Sequence, residues 1–289
     1  MVDWEDIRHF LAVAQSSTLS GAARKLKVDH ATVSRRLAAL EAALDVRLVD
    51  RLPRSCRLTA IGRQVMERAV EMESGAYGIS RLAKAAHAPL VGRVTLSAPP
   101  VLVTHLLAEH LSRFRAEYPD IRLSLSAQGQ QASLSRREAD VAVRLVRPEE
   151  AGNVTRKIGR MPFGVYAHRS YAHVAAPERW QFIAFDQSFA DMPQQRWLLG
   201  IAGERPVACE LNHISEHLIA ARAGVGVAGL PCYLGDRDHD LVRMYEDVPS
   251  FSRDIWLVVH RDLRKTPAVR AVMDFVVAVV SEQRDLSIR

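Results

Sequence analysis

His30, Ala31, Thr32, Ser34 and Arg35 fall within one short stretch and form the most chemically directed cluster in this sequence. On a helix they gather on one side, because residues three and four apart stack on a common face. An arginine can donate to guanine or to a phosphate, and a histidine can donate or accept at a base edge. A serine or threonine hydroxyl suits a phosphate oxygen. Ala31 and Ala38 keep that side small, as a helix lying in a major groove requires. Arg51, Arg54 and Arg57 follow around Pro53 and could meet phosphates beside the groove. A solvated surface turn is the plainer alternative for them. Arg24 and Lys25 serve equally well as flanking backbone contacts or as exposed helix charges.

The elements that must hold this cluster are legible on either side of it. Ser20 and Asp29 are suitable N-caps for two short helices, since each side-chain oxygen can accept from a free backbone N–H. Ala22, Ala23 and Leu26 give the first helix a small apolar face, and Lys27–Val28 makes the turn. Val33, Leu37, Leu40 and Leu44 recur at three- and four-residue steps and share the buried side of the second. An earlier amphipathic helix carrying Trp4, Ile7, Phe10, Leu11 and Ala14 completes a three-helix core. Short apolar segments around Pro53 predict a small hairpin. Thr59 is then a plausible N-cap for a long helix. Along it Val65, Ala69, Met72, Ala76, Ile79 and Ala83 alternate four- and three-residue steps, a heptad seam suited to dimerisation. The alternative is a helix packed on its own domain. Pro89 ends it.

Bulk properties agree with this without deciding it. The 289 residues exceed one average domain, with 48% hydrophobic and 25% charged residues. A formal net charge of +6 permits nucleic-acid binding. The start, MVDWEDIRHF, lacks the basic and apolar runs of an export signal. Ala271 to Val280 is too short and is interrupted by Asp274, so no membrane association is expected. Cys56, Cys209 and Cys232 are far apart and in no metal-ligand spacing, which suits a reduced cytoplasmic protein. An incidental Cys56 is favoured over a redox role, since no partner lowering its pKa is evident. His105, His110, His168 and His173 suggest no metal cage. No nucleophile elbow, phosphate loop or HExxH motif is present, so neither an enzyme, a catalytic residue nor a cofactor is expected.

From Arg93 the pattern becomes alternating strands and helices, which implies a mostly parallel sheet covered by helices. The predicted strands are 94–97, 121–126, 140–145, 163–167, 182–185, 206–211 and 255–260, and the predicted helices include 101–118, 213–223 and 267–282. Another helix is expected before Asp140. Ligands of such sheets collect where strands end and helices begin. That rule selects Ser97, Pro99, Pro100, Gln128, Arg144, Asp186 and His213 as candidate effector contacts. Arg144 could pair with a carboxylate or serve as a structural ion-pair partner. A small metabolite, an organic or aromatic acid, is the expected ligand.

The chain resembles the LysR-type transcriptional regulators over its whole length. The resemblance rests on FLAVAQSSTLSGAARKLKVDHATVSRRLAALEAAL, then Leu48, Arg51 and Leu58-Thr59-Ala60-Ile61-Gly62. It continues in Phe114, Tyr118-Pro119-Asp120-Ile121, Arg137 to Arg144 and Ala223-Gly224-Val225-Gly226-Val227. It implies an α+β multidomain chain: a winged helix-turn-helix over 1–60, a linker helix over 61–90 and a two-lobed α/β effector-binding domain over 91–289. That domain is similar to periplasmic binding proteins, with lobe one at 91–162 plus 262–289 and lobe two at 163–261. The resemblance further implies double-stranded DNA and a small-molecule effector as partners, and a homodimer or homotetramer. Asp45, Val49 and Ala31 stand where the family usually has glycine, phenylalanine and often proline. A non-enzymatic solute-binding protein and an architectural DNA-binding protein are the alternatives.

Overall fold

The computed structural model describes residues 2–52, 55–86, 90–127, 139–148, 152–244 and 250–286. Two compact units divide the chain, Met1–Ala83 and Lys84–Arg289.

In the first unit the helices are α1 (Trp4–Ser16), α2 (Leu19–Leu26) and α3 (His30–Leu44). A hairpin of β1 (Val49–Leu52) and β2 (Ser55–Leu58) follows, then α4 (Ala60–Ala86). Phe10, Val33, Leu37 and Leu40 are fully buried and join the three helices into one core, as their spacing required. The cap of α2 differs from expectation. Thr18, not Ser20, accepts from the Gly21 amide, and the helix starts one residue before Ser20. Both are good capping residues, and the αL residue Ser17 that ends α1 brings Thr18 to the cap position. Asp29 caps α3 through the Thr32 amide at 2.6 Å, as expected. Asp45 takes the left-handed conformation (φ 51°) that the resemblance would give to glycine. Its short side chain tolerates that region better than most.

The junction of the hairpin with α4 is tight. Thr59 caps α4 by accepting from the Gly62 amide at 2.9 Å, and its backbone N–H donates to the Leu48 carbonyl. A Cβ on Gly62 would lie 2.1 Å from that Leu48 oxygen, so only glycine lets the helix start there.

The second unit is built on nine described strands in one sheet, ordered β4-β3-β5-β11-β6-β9-β7-β8, with β10 also on β6. In chain order they are β3 (Gly92–Ala98), β4 (Ile121–Ala127), β5 (Val141–Arg144), β6 (Asn153–His168), β7 (Phe182–Phe185), β8 (Val207–Leu211), β9 (Val227–Pro231), β10 (Leu241–Arg243) and β11 (Phe251–His260). The helices are α5 (Pro100–Leu102), α6 (Leu111–Glu117), α7 (Pro193–Ala202), α8 (Ile214–Arg222), α9 (Cys232–Gly235) and α10 (Pro267–Glu282). β3, β4 and β5 run parallel, as do β7, β8 and β9, and the two groups flank the antiparallel pair β6 and β11.

One expectation changes here. The helix expected over 101–118 is interrupted by a wide π turn at Val103–Leu107 and a 3₁₀ turn at Ala108–His110. Val101 and Leu102 are buried, and so are Leu106 and Leu107 five residues later, a spacing that a π turn matches and a regular α-helix does not. The return between the halves of this unit runs along a strand shared by both. The expected second lobe of 163–261 includes all of β11, and the pairing of Trp256–Val259 with the first-half strand β5 shows that this strand serves both halves. A register shift between Ile255 and Trp256 marks where it passes from one to the other. The helix expected before Asp140 lies outside the described residues. Gly224 closes α8 with φ 74°, as its position suggested.

Opposite signs are expected for two glycine substitutions in α4. Gly62→Ala should cost ~1–3 kcal/mol through overpacking against Leu48. Gly75→Ala, with nothing within 4 Å, should gain ~0.5–1 kcal/mol. Urea unfolding of both variants checks the pair.

Candidate nucleic-acid interface and ligand cleft

α3 presents His30, Ala31 and Arg35 to solvent, with Ser34 and Thr32 half-buried beside them. The Thr32 hydroxyl is already engaged, donating to Asp29 at 2.9 Å, so it belongs first to the helix cap. Arg36, next to the outward face, turns back to bridge Asp6 at 3.0 Å and Asp3 at 3.3 Å, tying α3 to the start of α1. Glu41 is a positioning residue that the periodicity did not single out. Its Oε1 accepts from the Leu48 and Val49 amides at 2.8 and 3.1 Å and so holds β1 against α3. The Cys56 amide donates to the Ser17 carbonyl, fixing β2 to the turn before α2. Arg57 is exposed; Arg54 and the Arg51 side chain lie outside the described residues.

The expected helical seam divides in two. Ala69 is 2% exposed and Val65 packs beside it in the first unit's own core. For this part of α4 that favours the alternative of a helix packed on its own domain, with Ala69 buried and Val65 half-buried against the three-helix core. Farther along, Ala76 is exposed, Met72 is 49% exposed and Ile79 73%. The Ala83 side chain lies outside the described residues.

In the second unit a cleft of about 200 Å³ opens at the C-terminal ends of four strands. The β3–α5 junction contributes Pro99 and Pro100, the end of β5 contributes Arg144, and the β8–α8 junction contributes His213. These four were expected from strand-end logic. Ser97 is not among the lining residues. It is fully buried behind Arg144, whose Nη1 donates to both its carbonyl and its hydroxyl at 3.2 Å. Asp186 does not line the cleft either, because its carboxylate caps the turn Gln187–Phe189 by accepting from the Ser188 amide and hydroxyl. That turn delivers Phe189 to the cleft, 5.4 Å from Phe185. Gln128 lies outside the described residues.

Several lining residues gave no sequence signal. Arg253 comes from near the start of β11, where strand-end logic for this cleft does not look. Its Nε donates to the Leu145 carbonyl at 3.3 Å and its Nη1 to Gln194 Oε1 at 2.5 Å. Burial pushes its pKa down. Gln195 is buried at the back, its amide both accepting from the Phe185 N–H and donating to the Phe185 carbonyl at 2.9 Å. Phe185 also packs on His217, with ring centroids 4.4 Å apart. His217 is fully buried, donates through Nε2 to the Leu211 carbonyl at 3.2 Å, and has its pKa lowered by burial.

Comparisons with known proteins agree with this arrangement. The model described as bacterial regulatory helix-turn-helix protein, lysR family, matches residues 4–63, and that of the LysR substrate binding domain matches residues 87–281. The chain therefore belongs to the LysR family of transcriptional regulators. It is a DNA-binding regulator with an effector-binding domain. It is 26% identical to the Mau operon transcriptional activator of Paracoccus denitrificans, over 97% of this chain and 98% of that one. It is 30% identical to the regulator CrgA of Neisseria meningitidis serogroup C, over 81% of each. In fold it is similar to a full-length OxyR variant of Pseudomonas aeruginosa, with a TM-score of 0.61 at 18% identity, covering 96% of this chain and 98% of that one. Among the described residues no helix is long and apolar enough to cross a membrane.

His217 sets a pH dependence. Its folded pKa lies below the ordinary 6.5, so the unfolded chain binds its proton first as pH falls. Stability from the neutral ring is therefore present above about 6.5 and is lost on acidification below it. The fall is at most ~1.4 kcal/mol per pH unit. Urea midpoints between pH 7.5 and 5.5 should show a shallower slope in His217→Gln than in the parent.

Proposed function

We propose that this protein is a cytoplasmic, non-enzymatic regulator that binds an operator as a dimer or a tetramer of dimeric arms and changes its grip when the cleft is filled. The observation that carries the DNA-reading assignment is the outward side of α3. His30, Ala31 and Arg35 are exposed there, while Val33, Leu37 and Leu40 are committed to the core. Arg35 and His30 read base edges. Ser34 meets phosphate, Thr32 supports the helix start as part of its cap, and Arg51 and Arg54 anchor the hairpin on the flanking backbone. Two such helices about 34 Å apart would favour an inverted-repeat site.

Dimerisation uses the part of α4 beyond the first unit's core. An isoleucine 73% exposed on a helix is an apolar surface that a second helix would cover. Met72, Ala76 and Ile79 form that stripe, and the heptad spacing carries it on to Ala83 in the sequence. The effector occupies the cleft and draws together the strand ends on either side of β6 and β11. Such a ligand shifts the operator-bound state only to the extent that it binds the two arrangements with different free energies.

Arg35→Ala is expected to weaken specific operator binding by ~1–3 kcal/mol while leaving non-specific binding nearly unchanged. Titrations on operator and scrambled duplexes measure both, and equal losses on the two would remove the base-reading role. For the arm, Ile79→Glu should lower the sedimentation coefficient towards that of a monomer, with little change in thermal stability of the first unit.

A further inference from the structure

Among the described residues, Arg253 reaches into the cleft with no counter-ion. Its described partners are two neutral oxygens, Leu145 O and Gln194 Oε1, and burial alone accounts for its lowered pKa. A guanidinium has five N–H donors, so three of them remain without a described protein acceptor. The acids nearby in the chain are engaged elsewhere. Asp254 pairs with Lys157 at 2.7 Å, Asp186 caps its own turn, and Glu216 accepts from the Asn212 and His213 amides. No carboxylate lines the cleft among the described residues. Arg144, by contrast, spends its Nη1 on Ser97 and on the Val143 carbonyl at 2.8 Å, which joins β3 to β5.

Beyond the two arginines, the wall is mostly apolar, with Gln194, Asn212 and His213 as its neutral polar or imidazole groups. Phe185, Phe189, Met192 and Ile214 stand on one side and Pro99 and Val146 on the other. An apolar cavity of ~150 Å³ holds benzene, so a cleft of about 200 Å³ has room for one ring and one small head group. A half-buried cation with only neutral described partners favours one negative charge; a second charge would have to draw Arg144 from its bonds to Ser97 and Val143 or be desolvated unpaired.

Resting on the reading of this cleft as the effector site, we propose that its ligand is a small monocarboxylate with an apolar body about the size of a benzene ring, seated on Arg253 rather than on Arg144. Because Arg253 already reaches Leu145 after β5 and Gln194 on α7, a carboxylate there engages a residue held by both halves of the unit. That contact is where ligand charge would meet the crossing strand.

Calorimetric titration of the full chain with benzoate and with its neutral isostere benzamide tests this. Benzoate should bind at least tenfold more tightly than benzamide. Arg253→Gln should weaken benzoate at least tenfold and leave benzamide unchanged, whereas Arg253→Lys should retain most of the benzoate affinity. Val146→Trp, at a position 53% exposed, should block both ligands by filling the cleft without disturbing the core. Melting curves confirm that each variant is folded. If Val146→Trp blocks benzoate but Arg253→Gln does not weaken it, or if benzamide binds equally well, the cleft stands as the ligand site and the monocarboxylate assignment falls. Benzoate binding indifferent to Val146→Trp would remove the cleft reading itself. No benzoate binding at millimolar concentration overturns the ligand class and leaves the DNA-reading role untouched.

Discussion

The antiparallel pairing of β6 with β11 is the constraint on which the ligand-binding unit depends. β6 runs from Asn153 to His168 and meets β11 along the whole of Phe251–His260. At one end of this pair β5 joins β11 and leads to β3 and β4; at the other, β9 joins β6 and leads to β7 and β8. Each outer group is parallel and ends two of its strands at the same cleft, β3 and β5 in one and β7 and β8 in the other. Without the long central pair the two groups would have no common frame, and residues as distant in sequence as Pro99 and Arg253 could not line one cavity. The register shift at Ile255/Trp256 sits where β11 passes from one group to the other, and Arg253 lies two residues before it.

A comparable constraint governs the DNA-binding unit on a smaller scale. The Leu48 carbonyl accepts from the Thr59 amide, and Gly62 must lack a side chain because that same oxygen lies over it. Glu41 holds the neighbouring amides of Leu48 and Val49. A half-buried carboxylate accepting two backbone bonds leaves neither amide orphaned where the chain leaves α3, which matters more than the identity of the left-handed residue Asp45. The angle of the hairpin therefore rests on Glu41 and the Thr59–Gly62 turn, so aspartate can replace glycine there.

The cleft shows how residues behind the wall set a ligand surface. Phe185 is pinned through its backbone by the Gln195 amide and through its ring by His217, so its face is fixed before any ligand arrives. Asp186 looks like a ligand contact from its strand-end position, but it shapes the turn that presents Phe189. Arg144 and Ser97 likewise hold two strands together. Groups placed at strand ends by the fold serve either the ligand or the frame, and the partners within bonding distance decide which.

Helix faces, caps and the order of strands follow from local rules, so the sequence alone determined the helix α3, its buried side at Val33, Leu37 and Leu40, the closing helix Pro267–Glu282 and the alternating second half. It also located Pro99, Pro100, Arg144 and His213 at strand ends. What it could not separate were two good caps two residues apart, Thr18 and Ser20, because the choice depends on the αL residue Ser17 in the preceding turn. Nor could it divide the heptad seam, since Val65 and Ala69 are covered by the first unit's core and Ile79 is not. Arg253 was invisible for a deeper reason. A cation within a strand reads as one more surface charge, and only the sheet's long-range order brings Leu145, Gln194 and the aromatic wall around it.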